Sequence, residues 1–285
     1  VRFKGQASTL KSAIIYADAI TTVSPTHAEE LLTREGGKGL EAVIEFRKND
    51  FLGILNGIDY GEFNPETDPY LAHHFDKSNV REEKKKNRSA LYAKLGIKDE
   101  GQPLFAIVTR LTWQKGIDLF LSGARLILEN GGSVIALGNG EYTYEQDIEH
   151  LRAEYPDKMA CYIGFNNQLA HEIYASCDFF LMPSLFEPCG IGQMIALRYG
   201  SLPIVRLTGG LRDTVIPFNG YNEDVANGFG FENYDFYWMN LTVKYAIDQY
   251  KDDKVMHALI QNAMSADNDW ERSAKQYLEL YQHLA

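Results

Sequence analysis

The chain has 285 residues, 45% of them hydrophobic, and its 28 basic against 39 acidic side chains give a net charge of -11. That length allows about two domains with an ordinary core, and the acidic balance offers no footprint for nucleic acid or an anionic membrane. No apolar run approaches the ~20 residues that span a bilayer, no signal-peptide order is present, and Cys161, Cys177 and Cys189 are too few and too irregularly spaced for a disulfide framework or a CxxC metal site, so a reducing, cytoplasmic setting is expected.

The chain starts at Val1 rather than at a methionine, as expected of a piece of something longer. The pattern predicts a helix over 6–17 (QASTLKSAIIYA) and a strand over 19–23. Ser24 and Pro25 then supply an N-cap and a first helical residue for THAEELL. GGKG at 36–39 reads as a glycine-rich loop before a second short helix. ILNGIDYGEFNPETDPY, with its Asn-Gly pair, prolines and clustered acids, reads as a hinge and places a domain boundary near Asn56. His73 and His74 are adjacent and point apart in most backbones, which argues against a metal site. REEKKKNR at 81–88 reads as the solvated face of a helix.

From Pro103 strands and helices alternate. PLFAIVTR precedes IDLFLSGARLILEN, closed by Gly131 and Gly132, and SVIALG precedes a helix over 142–154. KMACYIG precedes QLAHEIYASC, DFFLMPS precedes GIGQMIALRYG, and LPIVR precedes LRDTV. Short, uniformly apolar strands are expected where helices cover both faces of a sheet, so the predicted fold is α/β with a doubly wound, Rossmann-like parallel sheet. Three helical stretches follow from about residue 235. No internal repeat is evident.

Five polar, glycine-rich segments each follow an apolar strand: TRLTWQKG, LGNGE, IGFNN, PSLFEPCGIGQ and RLTGGLRD. Ligands of open parallel sheets bind beyond the carboxyl ends of the strands, so five such tips on one edge describe one site. In PSLFEPCGIGQ a helix starting at Ile191 or Gly192 offers unpaired N–H groups at its positive end, suited to phosphate, and Glu187 is a carboxylate aimed at whatever the phosphate carries. The plainer reading of Glu187 is a helix cap. Arg110 and Lys115 form a pair of cations suited to a diphosphate, although either alone could be simply solvated. Thr208, Gly209 and Gly210 repeat the design before a helix at Leu211, whereas LGNGE is a weaker glycine turn. Phe165 is placed at a strand end, where it could stack on a nucleobase or belong to the core. Asn166 or Asn167 caps the following helix. Trp113, Trp238 and Trp270 could stack on sugar faces, but core burial is the expectation for the last two.

Taken together, TRLTWQKGIDL, IGF and PSLFEPCGIGQMIALRYGSLPIVRLTGGLRDTV resemble the bacterial and plant glycogen and starch synthases, retaining glucosyltransferases of the GT-B fold. The likeness runs from TLKSAIIYADAITTVSPTHA through ILNGID and NPETD to DWERSAKQYLELY. It implies transfer of glucose from a nucleotide diphosphate glucose, in this family usually ADP-glucose, to the non-reducing end of an α-1,4-glucan, with no cofactor and no metal. It also implies that residues 1–55 are the tail of an N-terminal acceptor domain, 56–265 the C-terminal nucleotide-sugar-binding domain, and 266–285 a helix crossing back.

Carried over residue by residue, Arg110 and Lys115 resemble the pair that neutralises the diphosphate, and Glu187 the carboxylate facing the donor glucose. Gly190, Ile191 and Gly192, with Cys189 beside them, would lie against phosphate and sugar oxygens. Gly164 and Phe165 would lie under the base, and Thr208, Gly209 and Gly210 around the site. The chain departs from the family pattern at Leu185, where an arginine is common, and at Gly192, where a hydroxyl or amide is frequent. Ile195 stands where the wider clan often has a second glutamate. The first domain's glycine-rich loop and histidine do not occur in this chain, so the remaining N-terminal domain is an expected partner, with the nucleotide sugar and the glucan. The setting would be the cytoplasm, or a plastid in a plant. The other readings are a non-catalytic nucleotide-sugar-binding module, or another GT-B enzyme such as a phosphorylase or a sugar-nucleotide epimerase.

Overall fold

A computed structural model describes residues 1–284. The opening unit holds a hairpin of β1 (Arg2–Phe3) and β2 (Gln6–Ala7), then α1 (Thr9–Tyr16) and β3 (Ile20–Thr22). Next come α2 (Pro25–Leu31), α3 (Arg34–Gly37), α4 (Glu41–Phe46) and β4 (Phe51–Gly53), which pairs parallel with β3. The helix expected over 6–17 is therefore shorter, because Ser8 caps it by accepting from the Lys11 N–H and leaves Gln6 and Ala7 to the hairpin. Gly36 and Gly37 close α3 rather than forming an open loop, and the chain turns at Lys38 with φ +52°. Ser24 caps α2 and Pro25 opens it, as the sequence suggests.

The segment read as a hinge is packed down rather than loose: Ile54, Leu55, Ile58 and Asp68 are buried, as are Leu71 and Phe75 just after it. Asp68 Oδ2 within it accepts from the Tyr199 hydroxyl at 2.5 Å and faces His171 Nδ1 at 2.7 Å. Asp68 is held below the usual carboxylate range: burial opposes this, but the His171 and Tyr199 hydrogen bonds prevail. His73 faces Glu83 and His74 faces the Asp68 carbonyl, so the two histidines do diverge.

The main body follows with α5 (Val80–Leu95), β5 (Leu104–Val108), α6 (Ile117–Glu129), β6 (Ser133–Gly138), α7 (Tyr142–Glu154), β7 (Met159–Ile163), α8 (Asn167–Ser176) and β8 (Phe179–Met182). It continues with α9 (Gly192–Arg198), β9 (Leu202–Arg206), α10 (Gly209–Thr214), β10 (Phe229–Phe231), α11 (Phe236–Gln249), α12 (Asp253–Ser265) and α13 (Trp270–Leu284). Six strands form one parallel sheet in the order β10-β9-β8-β5-β6-β7. Crossovers between parallel strands are right-handed as a rule, so helices fall on both faces once the order reverses: α6 packs with α11, and α5 with α8. Leu104, Phe105, Ala106, Phe179, Phe180 and Leu202 are fully buried between these layers, which explains their uniform apolarity. The fold is thus the doubly wound α/β arrangement expected.

Residues 229–231 add an unexpected edge strand, β10, too short to announce itself by pattern. Two expectations fail here. The 81–88 run is not merely a solvated face, since Lys84, Asn87 and Arg88 are buried. Their polar ends find partners in the folded chain: Lys84 Nζ donates to Tyr174 O, Tyr199 O and Ser201 Oγ, and Arg88 pairs with Asp178. Trp238 and Trp270 are 41% and 43% exposed rather than in the core, because α11 turns Met239, Val243, Ala246 and Ile247 inward and Ser273 is the buried residue of α13.

α13 returns to the opening unit. The Ile58 N–H donates to Asn268 O at 2.8 Å, Ser273 Oγ donates to Leu55 O at 2.5 Å, and Tyr277 and Tyr281 line a cavity with Ala17, Asp18, Ala19 and Thr21. Among the described residues no helix is long and apolar enough to cross a membrane.

Candidate functional site

The strand order sets the five tips side by side along one sheet edge: those of β9, β8, β5, β6 and β7. Between β5 and β8 the order reverses, and crevices at such reversals are where doubly wound sheets bind ligands. After β5 the chain makes a 3-10 turn over Trp113–Lys115 and enters α6 through Gly116, at φ +69°. A Cβ at Gly116 would stand 2.1 Å from Pro183 O, so only glycine lets this turn lie against the end of β8. The Leu185 N–H donates to Gln114 O at 2.9 Å and ties the two tips together.

This closeness brings Lys115 Nζ to 2.5 Å from Glu187 Oε2, with side chains 16% and 8% exposed. Ser184 Oγ donates to the same oxygen at 3.2 Å. Glu187 is therefore no helix cap: its carboxylate is taken by Lys115 and Ser184, and α9 starts without a side-chain cap. Arg110 is exposed and makes no ion pair among the described residues. Ile191 is half exposed and Gly190 turns at φ +76°, whereas Cys189 is buried with its thiol pushed up by that burial. The tip of β8 thus supplies backbone amides at a helix start and a buried carboxylate, and the tip of β5 the adjacent ammonium.

The β9 tip differs from expectation. α10 begins at Gly209, not Leu211, and the anion at its amino end is the protein's own Glu30 from α2. Glu30 Oε1 accepts from Thr208 Oγ1 at 2.7 Å and from the Gly209 N–H at 2.9 Å. Burial works to raise the Glu30 pKa, but hydrogen bonds from His27, Thr208 and Gly209 hold it down at about 2. Thr208 and Gly209 are therefore engaged by a carboxylate rather than open to a ligand phosphate. Asp213 returns the arrangement, accepting from Thr26 N and Oγ1 at the start of α2 at 3.0 and 2.6 Å. Gly209 and Gly210 still shape the site, because a Cβ on either would lie 2.0 Å from Glu187 O or Cys189 O.

At the far end of the edge, Phe165 is 86% exposed and follows Gly164, whose N–H donates to Gly138 O; Asn166 caps α8 as expected. Phe165 and Lys115 stand on tips separated by β6. LGNGE contributes by close approach, since a Cβ at Gly140 would lie 2.2 Å from Leu111 O. Trp113 is exposed and meets Phe186 edge-on at 5.9 Å.

Sequence reasoning missed Ser184, Ser24, Glu30 and Arg206. Ser24 Oγ donates to Pro188 O at 2.7 Å and Arg206 Nη1 to Leu185 O at 2.5 Å, so both brace the Glu187 loop. Ser184 carried a local signal, three residues before Glu187, and Ser24 carried one only for its role as a helix cap.

The family model for glycosyl transferases group 1 matches residues 91–265, and that for the starch synthase catalytic domain matches residues 1–46. The chain belongs to the glycosyl transferases group 1 family. It is 45% identical over its whole length to the glycogen synthase of Clostridium beijerinckii and 44% identical to that of Geobacillus stearothermophilus, spanning 59% and 58% of their lengths. Among solved structures it is similar to the catalytic domain of starch synthase IV from Arabidopsis thaliana bound to ADP and acarbose. The TM-score is 0.91 at 39% identity, covering 96% of this chain and 57% of that one. The chain therefore spans less than two thirds of these relatives. Its sheet is that of a GT-B glycosyltransferase, with the Lys115–Glu187 contact at the strand-order reversal.

Proposed function

We propose that this chain is the donor-binding part of a retaining glucosyltransferase that moves glucose from ADP-glucose, or UDP-glucose, to the non-reducing end of an α-1,4-glucan. The observation that carries this reading is the 2.5 Å Lys115–Glu187 contact beside the uncapped start of α9. Arg110 and Lys115 would bind the diphosphate, with the Gly190–Gly192 backbone against its oxygens and Phe165 under the base. Glu187 would face the glucose ring.

As the anomeric C–O bond breaks, negative charge grows on the departing phosphate oxygen, where fixed cations and amides stabilise it most. The acceptor hydroxyl attacks from the same face, its proton passes to that oxygen, and configuration is retained. These side chains require no cofactor for the step. The segment of the relatives that this chain does not span would bring the glucan, in the cytoplasm. In the full-length protein Lys115→Ala or Glu187→Gln should lower the rate of glucan extension from ADP-glucose by at least ~10²-fold, the scale of one preorganised charge contact. Near-normal turnover would remove that residue from the mechanism, and a wild type that binds ADP-glucose without extending glucan would leave a binding module.

A further inference from the structure

The opposite edge of the sheet, at the amino ends of the strands, holds a cavity of about 430 Å³. Small-molecule sites run from roughly 300 to 1,000 Å³. Asp178, one residue before β8, and Gly200, just before β9, lie in its wall, so a full strand length separates it from Glu187. α5 lines it with Arg81, Lys85 and Arg88, and α12 begins at its rim.

Its three carboxylates are already committed. Asp178 Oδ2 accepts from Arg88 Nη1 at 2.5 Å and from the Leu104 N–H at 2.8 Å. Asp99 accepts from Ser89 Oγ at 2.5 Å and the Gly101 N–H at 3.1 Å, and Asp253 is paired with Arg81. Donors are left in excess. Arg88 is 5% exposed and spends Nη1 on Asp178 and the Tyr250 hydroxyl, while its Nε is buried with no partner among the described residues. Lys85 is exposed and makes no ion pair among them.

A buried guanidinium donor left unpaired is costly, and the Nε–Nη2 edge of a guanidinium matches two oxygens of a tetrahedral anion. We propose that this cavity is a second binding site, for a small phosphate ester whose phosphate sits between Lys85 and Arg88, the guanidinium turning its unpaired, solvent-sealed Nε toward the ligand. Met256 and Ile260 form an apolar wall for the carbon skeleton, which favours an ester over free phosphate. The proposal is independent of the donor-site reading, because no residue is shared.

The test is a titration of the isotope-labelled chain with inorganic phosphate, glucose 1-phosphate, sulfate and glucose, followed at the amides of Lys85, Gly101 and Asp253. Glucose 1-phosphate should shift these amides saturably and more tightly than inorganic phosphate, with glucose silent. Lys85→Glu, an exposed change, should weaken that binding by at least ~10-fold, the loss of one charge-assisted contact. Arg88→Lys, which keeps a cation for Asp178, should weaken it similarly, and if that variant does not fold then Lys85→Glu decides alone. Responses at Gly190 and Gly192 should be the same in both proteins, since they report phosphate at the donor face. Shifts confined to those glycines, an unchanged response in Lys85→Glu, or an equal response to sulfate would each overturn the site, the last marking an adventitious ion only. Binding of inorganic phosphate but not of the ester would overturn the ester.

Discussion

The Lys84 ammonium lies inside the protein, where it donates to Tyr199 O at 2.9 Å, Tyr174 O at 3.0 Å and Ser201 Oγ at 2.7 Å. Burial pulls its pKa down to about 8. The amine joins α5 to the ends of α8 and α9 and to the start of β9, so its loss is felt in the sheet. Lys84→Met keeps most of the stem but leaves Tyr199 O without this donor, and a buried unpaired carbonyl costs about 1–3 kcal/mol. Urea unfolding should show a lower midpoint of that size with an unchanged slope. An unaltered midpoint would mean that water replaces the amine. At the same scale, Glu187 neutralises Lys115 across 2.5 Å, and it is the carboxylate proposed above to face the donor glucose.

At the scale of elements, α2 and α10 cap each other. Glu30 of α2 sits on the first amide of α10, and Asp213 of α10 sits on the first turn of α2. A carboxylate at the positive end of a helix stabilises by up to about 2 kcal/mol when partly buried. Because the folded pKa of Glu30 is about 2, below its ordinary value of 4.5, the stabilisation is complete above pH 4.5. It is lost as pH falls toward 2, since the native carboxylate must then take up a proton that the unfolded chain already holds. Glu30→Gln should therefore be less stable than wild type by about 1–2 kcal/mol at neutral pH, with the gap closing between pH 4.5 and 2. A gap that stays constant down to pH 2 would show that the charge is not what matters.

On the scale of the whole molecule, the opening unit and the last helix meet at the segment after β4. A Cβ at Gly57 would stand 2.3 Å from the Trp270 amide nitrogen, which is backbone and cannot swing aside. Gly57→Ala should separate α13 from this segment, at the ~1–3 kcal/mol usual for overpacking. Amide exchange should rise first at Ile58, whose N–H is donated to Asn268 O. Unchanged protection there would mean that the backbone shifts without losing the contact. Ile54, Leu55, Ile58, Leu71 and Phe75 are buried, and Ser273 Oγ of α13 donates to Leu55 O, so the last helix is tied to the stretch by which the opening unit enters the main body.

What the sequence determines alone is whatever is written locally. Apolar runs of five or six residues specify buried parallel strands, glycines mark where backbones must approach, and Ser24, Asn166 and Gly131 mark helix ends. The order of these signals was enough to place Arg110, Lys115, Glu187, Phe165 and Gly209 on one edge. Tertiary structure alone decides which polar groups satisfy one another across long separations. Glu30 meets Thr208 at 178 positions' distance, and Lys84 meets Ser201 at 117. A carboxylate at a helix start or a lysine in a charged run looks the same in sequence whether it ends in water or in a partner's hydrogen bond. The difference lies in what the fold packs against it, and burial makes that partner obligatory.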